Sequence, residues 1–199
     1  MKLVLVDSGG ANLGSVRYAL ERLGVQAAVS GDPAVISAAD RVILPGVGAA
    51  GPGMARLREL GLVEVLRGLR QPLLGICLGM QLLFEASDEQ DETCLGLLPG
   101  RVRRLAGGPG LRVPHMGWNR LEPLRESVLM QGIPAGAQAY FVHGYGAAVD
   151  GHCVAHCVHG QPVAAVVQRG NVAGAQFHPE RSGPVGARLL ANFLEFGVA

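Results

Sequence analysis

The chain opens on a short, continuous apolar run, Leu3 to Val6, which Asp7, Ser8, Gly9 and Gly10 end as a turn. From Leu13 to Leu23 the period changes. Leu13, Val16, Leu20 and Leu23 recur at helical spacing, Asn12 stands where a cap is wanted, and Gly24 stops the helix. Val25 to Val29 and Arg41 to Leu44 predict two further strands, the second ended by Pro45-Gly46-Val47-Gly48. Leu57 to Leu69 predicts a helix with a break at Gly61, Pro72 to Ile76 a buried strand, and Leu78 to Glu85 another helix. Short buried strands alternating with helices predict an α/β fold with a mostly parallel central sheet covered on both faces.

After Gly100 the pattern changes. Arg101–Leu105, Ala139–Val142, Cys153–Val158, Val163–Val167 and Asn171–Gln176 predict strands separated by glycines and prolines, and Pro184–Phe196 a closing amphipathic helix with its proline in the first turn. Additional antiparallel strands are expected in this C-terminal half. Gly107-Gly108-Pro109-Gly110 is a loop rather than a boundary, because too few strands follow it to build a core. A single domain over residues 1–199 is expected.

Composition narrows the function classes. At 199 residues the chain can bury about 70% of its unfolded surface without staples. A net charge of +1 implies no basic face, which excludes nucleic acid as the expected partner. No run approaches the ~20 apolar residues of a membrane span. The N-terminal apolar run is too short for a signal peptide, so the chain is expected in the cytoplasm with its four cysteines reduced. Lys2 is the only lysine, which removes P-loop and pyridoxal phosphate chemistry, and no cofactor is expected.

Three segments carry candidate chemistry. Gly75-Ile76-Cys77-Leu78-Gly79 has the form G-x-C-x-G between a strand and a helix. A nucleophile at such a turn is held in strained φ/ψ, needs neighbours without side chains, and meets the positive end of the helix, which favours thiolate. Alone the pattern could be a structural cysteine beside packing glycines. A thiol nucleophile needs a base, and His178, in Gln176-Phe177-His178-Pro179-Glu180, stands at a strand's end. Glu180, two residues on, can bond the far imidazole nitrogen and select its tautomer. In Pro45-Gly46-Val47-Gly48 the glycines let backbone N–H groups turn inward, as an oxyanion hole requires, with Leu78 N–H as a second donor.

A fourth segment is rejected. His152-Cys153-Val154-Ala155-His156-Cys157-Val158-His159 has a superficial metal-ligand look. On a strand, residues four apart lie about 13 Å apart and cannot share one ion. The expected arrangement is cysteines inward and histidines in solvent, with no metal.

Together, Pro-Gly-Val-Gly, Gly-Ile-Cys-Leu-Gly-Met-Gln and Phe-His-Pro-Glu, in this order, resemble the class I glutamine amidotransferases, whose flavodoxin-like fold is then expected. Asp7–Leu13, Pro114–Asn119, Tyr140–Tyr145 and His178–Ser182 look like the glutaminase subunits of imidazole glycerol phosphate synthases, with Ser8 and Ala11 as departures from the first segment. The resemblance implies that Cys77, His178 and Glu180 hydrolyse glutamine. It implies that the amides of Val47 and Leu78 hold the oxyanion once the Val47–Gly48 peptide has turned. It further implies that Gly46, Gln81, Glu89, Gly144 and Tyr145 contact glutamine, Glu89 through its ammonium. No synthase module fits within this chain, so ammonia is expected to pass to a (β/α)8-barrel cyclase in a heterodimer, with Asn12, Trp118 and Arg181 facing that partner. An amidotransferase subunit of anthranilate or carbamoyl phosphate synthesis, or a non-catalytic subunit of the same fold, is the alternative. Pro114–Asn119 argues against the first.

Overall fold

A computed structural model describes residues 1–9 and 12–197 of the chain. Gly10 of the first expected turn and the Ala11 departure lie outside the described residues. The first half runs β1 (Leu3–Val6), α1 (Leu13–Arg22), β2 (Ala27–Ser30), α2 (Pro33–Ser37), β3 (Arg41–Gly46), α3 (Ala50–Glu59), α4 (Leu62–Arg67), β4 (Leu73–Cys77) and α5 (Leu78–Gln81). Three short strands follow: β5 (Ala86–Ser87), β6 (Glu92–Thr93) and β7 (Arg101–Arg104). The second half runs β8 (His115–Pro123), β9 (Ala137–His143), β10 (Tyr145–Gly146), β11 (Cys153–His159), β12 (Gln161–Arg169), β13 (Val172–Ala175) and α6 (Gly183–Glu195).

Nine strands form the main sheet in the order β2-β1-β3-β4-β13-β12-β11-β8-β9. Pairing is parallel from β2 to β13 and antiparallel from β13 to β9. A second sheet, β10-β7-β5-β6, lies apart from it. The fully buried runs of β1, β4 and β13 follow from helices on both faces. Alternate residues of β1 serve opposite layers: Leu3 and Leu5 join Val16, Leu20, Leu189 and Phe193 of α1 and α6, while Val4 and Val6 join Met54, Leu57, Leu62 and Leu66 of α3 and α4.

Several expectations need correction. The helix expected from Leu57 begins at Ala50 and is two helices, with the break at Gly61 in place. The helix expected to Glu85 stops at Gln81. Asn12 occupies the N-cap position of α1 but makes no side-chain cap; its amide is used elsewhere. Strand β8 went unpredicted because His115-Met116-Gly117-Trp118-Asn119-Arg120 is polar or exposed along much of its length, giving no apolar alternation to read. In β11 the cysteines are buried as expected, but the histidines are not simply solvated. His156 Nδ1 donates to Glu122 O at 3.2 Å, and His159 stacks on His115 with ring centroids 4.2 Å apart.

Candidate active site

The parallel sheet brings the separate segments together. β3 lies beside β4 in a register that sets Gly46 opposite Cys77, and β13, on the other side of β4, leads directly to His178. The carboxyl ends of neighbouring parallel strands therefore deliver the glycine turn, the cysteine and the histidine to one edge of the sheet.

Cys77 is the last residue of β4, with φ +54° and ψ −112°. A residue with a Cβ adopts that conformation at a cost of the order of 1–3 kcal/mol, so the surrounding structure must impose it. It does so through close packing: a Cβ on Gly79 would lie 1.8 Å from Leu44 O, and one on Gly75 would lie 2.6 Å from Gly79 O. No larger residue fits between β3, β4 and α5. Cys77 Sγ lies 3.7 Å from Val142 O and 3.9 Å from Gln176 Nε2.

His178 lines the same cleft as Cys77, and its Nδ1 donates to Glu180 Oε1 at 2.7 Å. The ring is 7% exposed and the Glu180 side chain is fully enclosed. Burial opposes charge on the imidazole. The neighbouring Cys77 and Glu180, the latter hydrogen-bonded to the ring, outweigh it and raise its pKa to about 10. An imidazolium is thus held between a sulfur and a carboxylate. The backbone is pinned as well: His178 N–H donates to Tyr140 O at 2.9 Å, Ser182 Oγ–H to His178 O at 2.7 Å, and Tyr140 N–H to Ser182 Oγ at 2.9 Å.

Asn12 Nδ2 donates to Glu180 Oε1 at 2.5 Å. Its approach to His178 Nδ1 at 3.4 Å is between two donors and adds no bond, because that nitrogen's proton already points at Glu180. The other oxygen of Glu180, Oε2, is buried with no partner among the described residues. The carboxylate is therefore oriented by a histidine and an asparagine acting on one oxygen.

A cleft of about 160 Å³ opens over the sulfur, lined by Val47, Gly48, Cys77, Leu78, Gln81, Glu89, Val142, His143, Gly144, Tyr145 and His178. Its size suits a small molecule such as an amino acid. Nine of the fourteen residues expected at the site line it. Gly46 lies behind it, lining the shallow space shared with Ser8 and Asn12. Gly48 has φ +96°, the left-handed backbone a side chain would strain. Ser8, a departure from the resembled pattern, lies with its Oγ 3.4 Å from Pro45 O, against the same turn. Glu89 Oε2 accepts the Ala50 N–H at 2.8 Å, at the start of α3, while lining the cleft. A larger, open depression of about 880 Å³ at Pro123–Ile133 holds none of the expected residues.

Trp118 and Arg181 stand outside the cleft. Trp118 is 55% exposed and meets Tyr140 edge-to-face at 5.8 Å, while the Arg181 guanidinium lies 5.1 Å over the same Tyr140 ring. With Met116, also exposed, they form an aromatic and cationic patch on the last two strands of the sheet, next to the segment that carries His178. Sequence reasoning missed Gln176, Ser182 and Tyr140 as neighbours that hold Cys77 and His178 in place; only their adjacency to Phe-His-Pro-Glu and to Phe141-Val142-His143 hinted at them.

The model of the family described as glutamine amidotransferase class-I matches residues 4–196. The chain is 64% identical over 193 residues to the "Imidazole glycerol phosphate synthase subunit HisH" of Xanthomonas euvesicatoria pv. vesicatoria (strain 85-10), covering 97% of this chain and 96% of that protein. It is 60% identical over 198 residues to the protein of the same name from Xylella fastidiosa (strain Temecula1), covering 100% and 99%. Among solved structures, one titled as a glutamine amidotransferase shares the fold at a TM-score of 0.75 and 24% identity, over 96% of this chain and 97% of that one. A glutamine amidotransferase from Thermotoga maritima shares it at 0.68 and 18%, over 98% and 96%. With a matching family model over nearly its whole length and relatives this similar, the chain belongs to the class-I glutamine amidotransferases.

Proposed function

We propose that this chain is the glutaminase subunit of an imidazole glycerol phosphate synthase, folded as one domain and working in the cytoplasm. The observation that carries the chemistry is a cysteine at φ +54° sharing one cleft with a buried histidine that is itself bonded to a buried glutamate. The curated relatives, at up to 64% identity over nearly the full length, support the choice of synthase.

In this reading the Cys77 thiolate attacks the γ-carboxamide carbon of glutamine, and the Val47 and Leu78 amides stabilise the oxyanion. The C–N bond breaks as the His178 imidazolium gives its proton to the departing nitrogen, releasing ammonia and leaving a γ-glutamyl thioester. Neutral His178 then takes a proton from water. The hydroxide adds to the thioester carbon, the thiolate leaves, and glutamate is formed with the sulfur–imidazolium pair restored. Glu180 stabilises the imidazolium and fixes its tautomer throughout. Gly46, Gln81, Glu89, Gly144 and Tyr145 are the proposed contacts of the amino acid, Glu89 for its ammonium.

Ammonia released to neutral water becomes ammonium and loses its nucleophilicity, so the product needs a covered route. The proposed receiver is a (β/α)8-barrel cyclase bound as a heterodimer, which makes imidazole glycerol phosphate and aminoimidazole carboxamide ribotide. The exposed Trp118 with Tyr140 and Arg181 supports a docking face beside the triad, since aromatic and arginine side chains anchor protein interfaces. The test is glutamine hydrolysis with and without the cyclase and its ribotide ligand. Low activity alone and strong activation in the complex are expected; full turnover without any partner would contradict the reading.

A further inference from the structure

Two buried histidines have no part in the triad. His115 on β8 and His143 at the end of β9 are each 5% exposed and stand opposite one another in the strand register. His143 Nδ1 lies 2.7 Å from the carbonyl oxygen of Tyr145. A carbonyl only accepts, so that nitrogen carries the proton and, in a neutral ring, Nε2 does not. His143 Nε2 is 3.0 Å from His115 Nδ1, which must therefore donate. His115 Nε2 is then bare and faces Asn119 Nδ2 at 3.2 Å, a donor. The second N–H of that amide goes to Val158 O at 2.9 Å, while Asn119 Oδ1 accepts the Arg120 N–H at 2.8 Å. Each link has one allowed direction. The result is a one-way chain from Asn119, next to exposed Trp118, to the Tyr145 carbonyl.

The chain ends in the cleft. Tyr145 O also accepts from Gln81 Nε2 at 2.8 Å, and the other Gln81 N–H donates to Gln176 Oε1 at 3.0 Å. With both amide protons committed, the free atom of the Gln81 amide is its oxygen, an acceptor, in a residue that lines the cleft. Charge on either ring would break the order, turning His115 Nε2–H against the Asn119 amide protons or His143 Nε2–H against His115 Nδ1–H. The surroundings disfavour charge too. Burial brings both down to about 4, helped at His115 by His143 and the stacked His159 and at His143 by His159 and the positive His178, the Tyr145 carbonyl giving only partial compensation at His143.

We propose that His115 and His143 are positioning residues: as neutral rings protonated on Nδ1 they fix the Tyr145 carbonyl and, through it, turn the Gln81 amide so that its oxygen meets a donor group of glutamine. The substrate half of this inference rests on the glutaminase reading above. The first experiment does not. Long-range ¹H–¹⁵N spectra of the histidine rings in the complete chain, assigned with single variants, should show both rings neutral and Nδ1-protonated across the neutral pH range. An Nε2-protonated ring, or one titrating near its ordinary pKa, overturns the relay whatever the enzyme does.

The second experiment is kinetic, on the complex with its cyclase. His115→Leu removes the donor to His143 and should raise KM for glutamine about tenfold with kcat nearly unchanged, the effect of one lost hydrogen bond. His115→Asn keeps an N–H where Nδ1 stood and should restore most of that loss. Equal damage by Leu and Asn, or no change in KM with Leu, rejects positioning in favour of packing alone. Absence of glutamine hydrolysis by the wild-type complex would instead overturn the glutaminase reading, leaving the ring spectra to decide the relay.

Discussion

Gly79→Ala tests whether the strained cysteine turn is held by backbone contact. A Cβ at Gly79 would lie 1.8 Å from Leu44 O and 2.8 Å from Leu44 C, where real contacts begin at 3.0 Å. α5 and β3 must therefore separate by at least 1.2 Å at this point. Neither has room to yield, because β3 is paired to β4 through Leu44↔Gly75, Pro45↔Ile76 and Gly46↔Cys77, and Leu44 is fully buried. Overpacking of this kind costs about 1–3 kcal/mol, and losing one or two ladder hydrogen bonds adds about 1 kcal/mol each. The better helix propensity of alanine returns at most about 1 kcal/mol. The net loss should be about 2–3 kcal/mol, which lowers Tm by roughly 5–10 °C in a domain of this size. Because the gap opens between the cysteine and the Gly46–Gly48 turn, turnover should fall further, by about 100-fold for a displacement near 1 Å. The assay is thermal unfolding alongside glutamine hydrolysis in the complex, with Gly14→Ala as control. Gly14 lies exposed on α1 with nothing near its Cβ, so that change should be neutral or slightly stabilising. A Gly79→Ala protein with wild-type Tm and turnover would refute the reasoning.

Three further outcomes are expected. Asn12→Leu removes the donor to Glu180 Oε1, whose partner oxygen already has no bond among the described residues, and should lower turnover about 10- to 100-fold with little change in KM; a rate within threefold of wild type would count against a role for Asn12. The raised pKa of His178 makes its charged form a source of stability that is complete below about 6.5 and lost as pH rises toward about 10, so urea midpoints of the wild type should fall relative to His178→Gln across that window, and parallel profiles would show the pair contributes nothing. Trp118→Ala, at a side chain 55% exposed, should leave Tm unchanged and weaken the complex with the cyclase about 30-fold, the effect of an anchor residue worth about 2 kcal/mol; undiminished binding by titration would move the docking face elsewhere.

Much of this was legible in the sequence because the signals were local. Apolar runs gave the buried strands β1, β3, β4 and β13, and the G-x-C-x-G spacing located a turn that does hold Cys77 at positive φ. Other features depend on residues far apart in the chain. Nothing near Asn12 tells that its amide turns away from its own helix toward Glu180, 168 positions on. β8 escaped because its pairing with β9 and β11 is made by backbone, while its side chains alternate between a surface patch and a polar histidine chain rather than between core and solvent. The length of α5 was overestimated for a related reason: after Gln81 the apolar residues Leu82, Leu83 and Phe84 are still buried, but in turns beneath Leu95–Leu98. Periodicity reports burial, and burial does not require a helix.

The central claim is that Cys77 forms the bond to glutamine. Acid-quenching the complex during turnover and mapping its cysteine peptides by mass measures this directly. A γ-glutamyl adduct on the peptide containing Cys77, absent from Cys77→Ala together with all glutamine hydrolysis, is the predicted result. Turnover that survives Cys77→Ala, or an adduct on Cys94, Cys153 or Cys157 instead, would contradict it.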